Sequence, residues 1–392
     1  MLPRRPPLLL ALAGALPLLL ALIAAACSDD ELAPVVSHAP DASRDAAPVE
    51  ASSADGAVVS KGARVLGLAM AVDDLSFSDH VVASRDAGAR TVNVALAWDE
   101  IERPYDAGDD AGDAAPPTQL FNASLHVANL VLDQDGMQGL VAIPALDAYG
   151  SRAPAELATR SLDDAELAAR YDRLTDYVLR SLPDLAVTGL LVGTDVDLAL
   201  GDDAVRHAAF ATFVGRAAAH VHAAAPKVKV GFTVTSGGIE AKAPRLAAAW
   251  AASDLVGVTV LSVDGAAHVR SPADVAAVFD RLVAAAPAGK PILVHEAGFP
   301  SAPACGGDEA QQAAFVAAVF GAWDRHADRI PVLAFRELAD ADADVVARLA
   351  ARAGRSDPAF LALLGSLGLQ GPDGRKKPGW DALIREARAR GF

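Results

Sequence analysis

The sequence predicts an α/β protein whose main domain, residues 61–392, is a single (β/α)8 TIM barrel. Short apolar runs alternate along this region with amphipathic helical runs, the pattern of parallel strands joined by crossover helices. There are eight such apolar runs, which matches the strand number of a closed barrel. The region is also of the length that one such domain requires.

The eight apolar runs have the composition of buried strands. They are Arg64–Met70, Thr91–Ala97, Leu140–Ala145, Gly189–Thr194, Val228–Thr235, Leu255–Leu261, Pro291–Glu296 and Pro331–Phe335. Between them, apolar residues recur at i, i+3, i+4 and i+7, which indicates helices with one buried face. A doubly wound open sheet is the alternative, but it requires a glycine-rich phosphate loop after its first strand, and Gly67–Met70 is not one.

The first 26 residues have the parts of a secretory signal peptide. Arg4 and Arg5 precede an apolar run, Leu8–Ala26, that ends in three alanines. Pro17 within this run argues against a permanent membrane-spanning helix. The sequence therefore predicts an exported protein from which residues 1–26 are removed.

The residue after these alanines is a cysteine, Cys27. The segment Ile23–Cys27 resembles a bacterial lipobox, the motif in which the cysteine is acylated and becomes the first residue of the mature protein. This resemblance implies a lipoprotein that is held to the cell envelope by an N-terminal lipid anchor. Ser28 in the next position implies the outer membrane. The alternative is an ordinary signal peptide followed by a cysteine that carries no lipid.

Composition sets further limits on the chain. Residues 27–60 are rich in Ala, Asp, Ser and Pro, which predicts a disordered tether between the anchor and the barrel. The acidic stretch 106–113 does not have the spacing of a calcium loop and indicates a solvated insertion. The formal net charge of −16 argues against nucleic acid or an anionic lipid surface as a partner. No motif implies a cofactor or a metal, and the oligomeric state stays open.

Two of the predicted strands end in carboxylates. The functional side chains of a barrel lie at the carboxyl ends of its strands. Glu296 ends the seventh strand, and strict alternation of side chains turns it into the barrel while His295 points to the other side. Asp195 ends the fourth strand. Two facing carboxyl groups can cleave a glycosidic bond: one protonates the leaving oxygen, and the other attacks the sugar or activates water.

These segments together resemble the clan A glycoside hydrolases, retaining barrel enzymes that include many cellulases and galactanases. The segment Leu293–Ser301 is similar to the nucleophile segment of the clan, and Gly193–Asp197 stands in the place of its acid/base segment. Gly88–Trp98 resembles the second strand of the clan, and Leu367–Trp380 resembles its closing segment. The likeness covers most of the predicted barrel and implies a carbohydrate substrate or ligand.

The resemblance implies a role for each carboxylate and also reveals departures. It makes Glu296 the nucleophile and Asp195 the acid/base. The clan has Asn-Glu where this chain has Thr194-Asp195, so the acid is one methylene shorter, and both retaining and inverting geometry stay open. The second-strand arginine that supports the nucleophile in the clan falls on Asn93. This departure predicts that Glu296 lacks a neighbouring cation.

Other side chains near strand ends are candidates for substrate binding. Trp98 follows the second strand and could offer a flat face to a sugar, and the further candidates are Asn93, Thr194, Asp147, Tyr149 and Arg152. The sequence thus predicts an envelope lipoprotein that hydrolyses O-glycosyl bonds in a poly- or oligosaccharide. A catalytically degenerate barrel that binds glycan or another envelope component is the alternative. Neither the sugar nor the linkage follows from the sequence.

Overall fold

All eight predicted strands are present in the structure, a computed structural model that describes residues 58–70, 77–104 and 118–392. The strands are β1 (Val65–Ala69), β2 (Thr91–Ala95), β3 (Gln138–Asp147), β4 (Ala186–Gly193), β5 (Lys229–Gly231 and Thr233–Thr235), β6 (Val256–Leu261), β7 (Ile292–Gly298) and β8 (Val332–Phe335). Their inner residues are branched and buried, as a packed barrel requires.

The strands form one parallel sheet that closes on itself. Each strand pairs with the next one along the chain, and β8 returns to β1 with Val332 opposite Val65. β5 is interrupted at Phe232; its first segment pairs with β4 and its second with β6. The chain itself therefore joins the two edges of the sheet. The predicted TIM barrel is confirmed, and an open doubly wound sheet is excluded.

In the part of the chain that the structure describes, eight main helices surround the barrel. They are α1 (Phe77–Asp86), α2 (Ala123–Gln134), α3 (Ala165–Arg180), α4 (Ala204–Ala224), α5 (Ser236–Ala252), α6 (Val275–Ala285), α7 (Glu309–Arg325) and α8 (Pro378–Arg390). Aspartates begin several of them, because an ordered side-chain oxygen satisfies amide groups that have no partner within the helix. Asp164, Asp203 and Asp308 accept hydrogen bonds from first-turn amides of α3, α4 and α7.

The amino-terminal end of the barrel is closed by a buried ion-pair network. The Asp324 carboxylate in α7 lies 2.8 Å from the Arg64 guanidinium and 2.7 Å from that of Arg390 in α8. The Arg64 guanidinium also lies over the Trp323 ring, 4.7 Å from its centroid. This network joins the start of β1 to the last two barrel helices.

The connection between β8 and α8 contains two additional helices, Ala343–Ala353 and Pro358–Leu364, which we call the cap. Each begins at an aspartate whose side chain accepts an amide hydrogen bond, Asp342 from Val345 and Asp357 from Phe360. The cap extends from the carboxyl ends of the strands, the end of the barrel that we call the mouth.

Several predicted segments lie outside the described residues. These are the signal peptide 1–26, the lipid-bearing Cys27, the tether up to residue 57 and the acidic stretch 106–113. At the end of the predicted tether, the carbonyl groups of Val59 and Ser60 accept hydrogen bonds from Arg64 at 2.7 and 3.2 Å. Within the described ranges, no helix has both the length and the apolar character needed to cross a membrane.

Candidate active site

Asp195 follows β4 in an unusual backbone conformation. Its φ of 49° and ψ of 41° lie in the left-handed region, which costs a residue with a Cβ about 1–2 kcal/mol. The backbone N–H of Asp195 donates to the Thr233 hydroxyl at 2.8 Å, and this hydroxyl donates to Asp195 Oδ1 at 3.1 Å. A strained conformation held by such contacts is typical of functional positions. The contacts hold the carboxyl group against β5 at the mouth.

The environment of Asp195 favours its protonated form. Burial raises the pKa of Asp195 from 3.8 to about 6, and the nearby charge of Glu296 contributes in the same direction. A hydrogen bond from the Thr259 hydroxyl opposes this increase. Removal from water disfavours a carboxylate, and a second carboxylate disfavours it further. Asp195 therefore has the property required of a proton donor near neutral pH.

Glu296 lies in β7 at a β-bulge. Val294 pairs with Val258, but Glu296 rather than His295 pairs with the next residue of β6, Thr259. The extra residue changes the side-chain direction, so strict alternation, on which His295 was expected to point away, does not hold here. His295 Nδ1 lies 3.9 Å from Glu296 Oε1. Glu296 is thus the register neighbour of Thr259, whose hydroxyl also contacts Asp195.

A cation does lie beside Glu296, contrary to the expectation from Asn93. Arg336, directly after β8, donates from Nη1 to Glu296 Oε2 at 2.6 Å. Arg336 also lowers the pKa of Asp195, although burial and Glu296 prevail over it. The prediction was wrong because it considered only the second strand, whereas β8 neighbours β7 in the closed sheet. Sequence reasoning missed Arg336, although its position directly after a strand was a usable signal.

Glu337 supplies a third carboxyl group at the mouth. Its φ of 54° is again left-handed, and its Oε1 lies 3.4 Å from Arg336 Nε. Burial raises the pKa of Glu337, while Arg336 lowers it. Among the described residues, no hydrogen-bond partner faces its buried Oε2. Glu337 therefore holds, beside Arg336, a buried acceptor without a hydrogen-bond partner in the described part of the chain.

Asn93 does not reach the mouth. Its side chain is 2% exposed, and its Nδ2 donates to the carbonyl oxygen of His295 at 2.6 Å. Burial lowers the pKa of His295, so its imidazole is neutral at pH 7. The expectation that Asn93 binds substrate is wrong, because its amide joins the interior of β2 to β7.

The expectation that Trp98 offers a flat face to a sugar is wrong. It is fully buried, its Nε1 donates to Glu102 Oε2 at 2.7 Å, and its ring meets the edge of Tyr171 at 5.2 Å. The turn after β2 directs the indole outward from the barrel, into the layer between sheet and helices. The other three tryptophans, Trp250, Trp323 and Trp380, are also buried, so no indole face is open at the mouth.

Three candidate residues lie at the end of β3 and in the loop after it. Tyr149 is near the site, whereas Asp147 and Arg152 form ion pairs with other side chains. Tyr149 is 44% exposed; burial raises its pKa most, and the charge of Arg336 lowers it while those of Asp147 and Asp195 raise it, so its hydroxyl lies within electrostatic range of the site. Asp147 instead binds Arg352 of the cap through both oxygens at 3.0 Å. Arg152 pairs with Asp99 at 2.7 Å. Both charged side chains are thus held by neighbouring charges at the rim, and their contact with substrate stays a prediction.

The remaining polar residues after β4 have different environments. Thr194 is partly exposed, and its N–H donates to the Leu146 carbonyl at 3.0 Å, which places it beside Asp195 at the rim. Asp197 is buried and accepts from the Thr235 amide and hydroxyl at 2.8 and 2.7 Å. Asp197 is therefore structural.

Two further observations concern metal ions and cavities near the carboxylates. Across the described ranges, no group of three His, Cys, Asp or Glu side chains is arranged to hold a metal ion. A cavity of about 370 Å³ lies outside the pair of carboxylates, and its lining includes Asp99, Ser151 and Glu156. The chemical centre of the mouth therefore consists of Asp195, Glu296, Arg336, Glu337 and Tyr149.

No protein-family model matches this chain, and no curated protein sequence matches it either. Its fold is similar to solved glycosidase structures. A family 39 glycoside hydrolase from the gut symbiont Bacteroides cellulosilyticus WH2 aligns with a TM-score of 0.57 and 12% identity, over 84% of this chain and 64% of that one. The exo-beta-1,4-mannosidase Op5Man5 from Opitutaceae bacterium strain TAV5 aligns at 0.60 and 16%, over 83% and 59%.

The beta-glycosidase BGL167 aligns with a TM-score of 0.61 and 13% identity, over 84% of this chain and 97% of that one. This chain thus spans less than two thirds of the first two neighbours but nearly all of the third. At these identities the alignments concern the fold. The chain has the TIM-barrel fold found in these glycoside hydrolases.

Proposed function

We propose that this protein is a glycoside hydrolase that cleaves O-glycosyl bonds with Asp195 as the general acid and Glu296 as the second carboxylate. The observation that carries the proposal is the contrast between their environments. Asp195 has a pKa of about 6, and Glu296 is ion-paired with Arg336 at 2.6 Å. Two carboxyl groups in environments that separate their protonation states can divide acid and base roles.

In this proposal Asp195 gives its proton to the oxygen that leaves the sugar. Glu296 then acts on the opposite side of the anomeric carbon, either by direct attack or by activating a water molecule. If Glu296 attacks directly, Asp195 is left as an anion and then accepts the proton of the water that releases the sugar from Glu296. If Glu296 activates the water instead, Glu296 accepts that proton. Thr233 and Thr259, which hydrogen-bond the carboxyl group of Asp195, keep it oriented in either case.

Arg336 positions Glu296 in this scheme. A charged hydrogen bond of 2.6 Å to Oε2 fixes one carboxylate oxygen and leaves Oε1 for the sugar. Tyr149 is the exposed aromatic side chain beside this pair and would contact the sugar in the cleft.

A glycan-binding barrel without catalysis is the second candidate function. The observation that favours it is the burial of all four tryptophans, since carbohydrate subsites are commonly built on exposed aromatic faces. Tyr149 alone would then hold the sugar beside the carboxylates. The two candidates differ in whether a bond is broken, so one assay separates them.

The test is hydrolysis of a panel of plant, fungal and bacterial polysaccharides by the wild-type protein, Glu296→Gln and Asp195→Asn. Release of reducing ends by the wild type and its loss in both variants would support the enzyme. Glutamine and asparagine keep the shape of each side chain and remove its acid–base function. Binding of a glycan by all three proteins without cleavage would overturn the enzyme and support the binding protein.

We also propose that the protein is exported and anchored by lipid at Cys27, in the outer membrane. This proposal rests on the signal-like residues 1–26 and the lipobox-like segment Ile23–Cys27. Bacteria that express the chain are labelled with a fatty acid carrying an alkyne and then fractionated. Label in the wild type and its absence in Cys27→Ala would support the anchor, and an unlabelled protein released from the envelope would contradict it.

A further inference from the structure

The base of the cap is packed on the loops that follow β6 and β7. Phe360 and Leu363 of the cap belong to an apolar cluster, separate from the barrel core, that also contains Ala267 after β6 and Cys305 after β7. Leu367, beyond the cap, completes the same cluster. Burial of these side chains fixes the cap above one side of the mouth.

The other end of the cap is tied to the loop after β3. Arg352, in the last turn of the first cap helix, donates from Nε to Asp147 Oδ2 and from Nη2 to Asp147 Oδ1, both at 3.0 Å. Its Nη2 also donates to the Ser151 carbonyl at 3.2 Å. Asp147 is itself fixed, because its Oδ1 accepts from the Tyr149 amide at 2.9 Å. Because two hydrogen bonds join Arg352 to Asp147, the pair fixes the relative orientation of the two side chains as well as their distance.

These two attachments lie on opposite sides of the barrel. In a closed sheet of eight strands, the third strand faces the seventh across the axis. The cap therefore bridges the rim from β7 and β8 to β3, past β1 and β2. Glu296 in β7 lies at one end of this bridged arc, and Asp195 follows β4, the strand next to its other end.

The rim is low at β5. β5 ends at Thr235, and α5 begins at the next residue, Ser236, so no loop rises between them. The Thr235 hydroxyl accepts from the Gly238 amide at 2.9 Å, which starts the helix at once. A sugar chain with its scissile bond between the two carboxylates must extend to both sides of them if it is cleaved internally. The β5 side is open to such a chain, whereas the cap stands on the other side.

We propose that the cap, held by the pair of Arg352 and Asp147, makes the site a one-sided pocket that takes the end of a sugar chain. This inference rests on the proposed hydrolase function and adds a substrate class to it. The bound end lies against the cap, and the rest of the chain leaves over β5. Arg352 and Asp147 are positioning residues, since they hold the wall and engage each other rather than the substrate.

The first experiment compares products from short and long chains. The purified mature protein is incubated with xylohexaose, mannohexaose and cellohexaose, and with xylan, mannan and soluble cellulose. We expect one short product of fixed length from any hexaose that is cleaved, and little decrease in the viscosity of the matching polymer. First products of mixed length, with a rapid loss of viscosity, would overturn the inference and leave the hydrolase function standing. Cleavage of none of the six would count against both.

The second experiment removes the ion pair that holds the cap. Arg352→Ala is expected to give internal cleavage products and to raise the ratio of kcat/KM for polymer to kcat/KM for hexaose by about tenfold. Arg348→Ala is the matched control, because Arg348 is exposed on the same helix and is expected to leave the product pattern unchanged. Asp147→Asn removes the same pair from the other side and serves if Arg352→Ala does not fold. An unchanged product pattern in folded Arg352→Ala and Asp147→Asn would overturn the inference.

Discussion

The Arg336 guanidinium donates to the Glu296 carboxylate at 2.6 Å, although the two residues belong to different strands and lie 40 positions apart in sequence. β8 thereby provides the cation that the second strand lacks. A barrel allows this exchange, because any strand end can direct a side chain into the same mouth. What matters for Glu296 is that a cation lies beside its carboxylate, whichever strand contributes that cation.

Replacing Arg336 by Ala should lower kcat/KM about a hundredfold, the scale on which one preorganised charged donor acts. Because Arg336 lowers the pKa of Asp195, its removal should also move the alkaline limb of the pH–rate profile to higher pH. Rates measured from pH 4 to 9 test both expectations, with Arg348→Ala as the control. A profile of unchanged shape would contradict the electrostatic influence of Arg336 on Asp195.

Activity that needs protonated Asp195 should decrease as the pH rises through about 6, the pKa that burial gives this group. The measurement is kcat/KM from pH 4 to 8 on a glycoside whose leaving group needs protonation. A substrate with a good leaving group is the control, because its cleavage depends less on the acid. A rate on the first substrate that does not decrease up to pH 8 would contradict the assignment of Asp195.

Asp195→Asn should also change stability with a defined sign. The folded-state pKa of about 6 lies above the ordinary 3.8, so the contribution of Asp195 is fully present below pH 4 and is lost as the pH rises through 6. The variant avoids this loss and should gain on the order of 1–2 kcal/mol over the wild type at pH 7, with no gain at pH 4. Urea unfolding at both pH values measures the difference, and an equal effect at each would contradict it.

Tyr149 and Trp98 should respond differently to mutation, because one is at the mouth and the other is buried. Tyr149→Ala should raise KM about three- to tenfold through the loss of an aromatic contact. Trp98→Phe removes the donor to Glu102 and should cost about 1–3 kcal/mol of stability with KM unchanged. Kinetics together with urea unfolding distinguish the two effects. A raised KM in folded Trp98→Phe would indicate that Trp98 contacts the sugar after all.

Asp324→Ala should destabilise the barrel by about 3–5 kcal/mol, because it removes the buried carboxylate that pairs with Arg64 and leaves Arg390 only its pair with Glu386. Asp328→Ala, at an exposed position three residues beyond the end of α7, is the control and should change stability little. Midpoints of urea unfolding provide the comparison. Equal midpoints for the two variants would show that the network with Arg64 and Arg390 contributes nothing.

The sequence alone determined the barrel and the positions of Asp195 and Glu296. Buried parallel strands consist of unbroken apolar runs, and apolar residues in the helices between them recur with a period of 3.6. Each of the eight strand–helix units can therefore be recognised from its own stretch of sequence. A polar residue that ends such a run must lie at the mouth, which is why Asp195 and Glu296 could be named. At His295 a β-bulge interrupts the period of two from which the side-chain directions in β7 were predicted.

Only the tertiary structure decided what surrounds these carboxylates. Arg336, Glu337 and the pair of Arg352 and Asp147 act across 40 to 205 residues of sequence, and no local pattern encodes such a distance. Trp98 has the residue type of a sugar platform, yet the path of the chain after β2 turns it into the core. Local patterns fix which residues reach the mouth, whereas charge pairing and burial there depend on the closure of the barrel, which brings distant strand ends together.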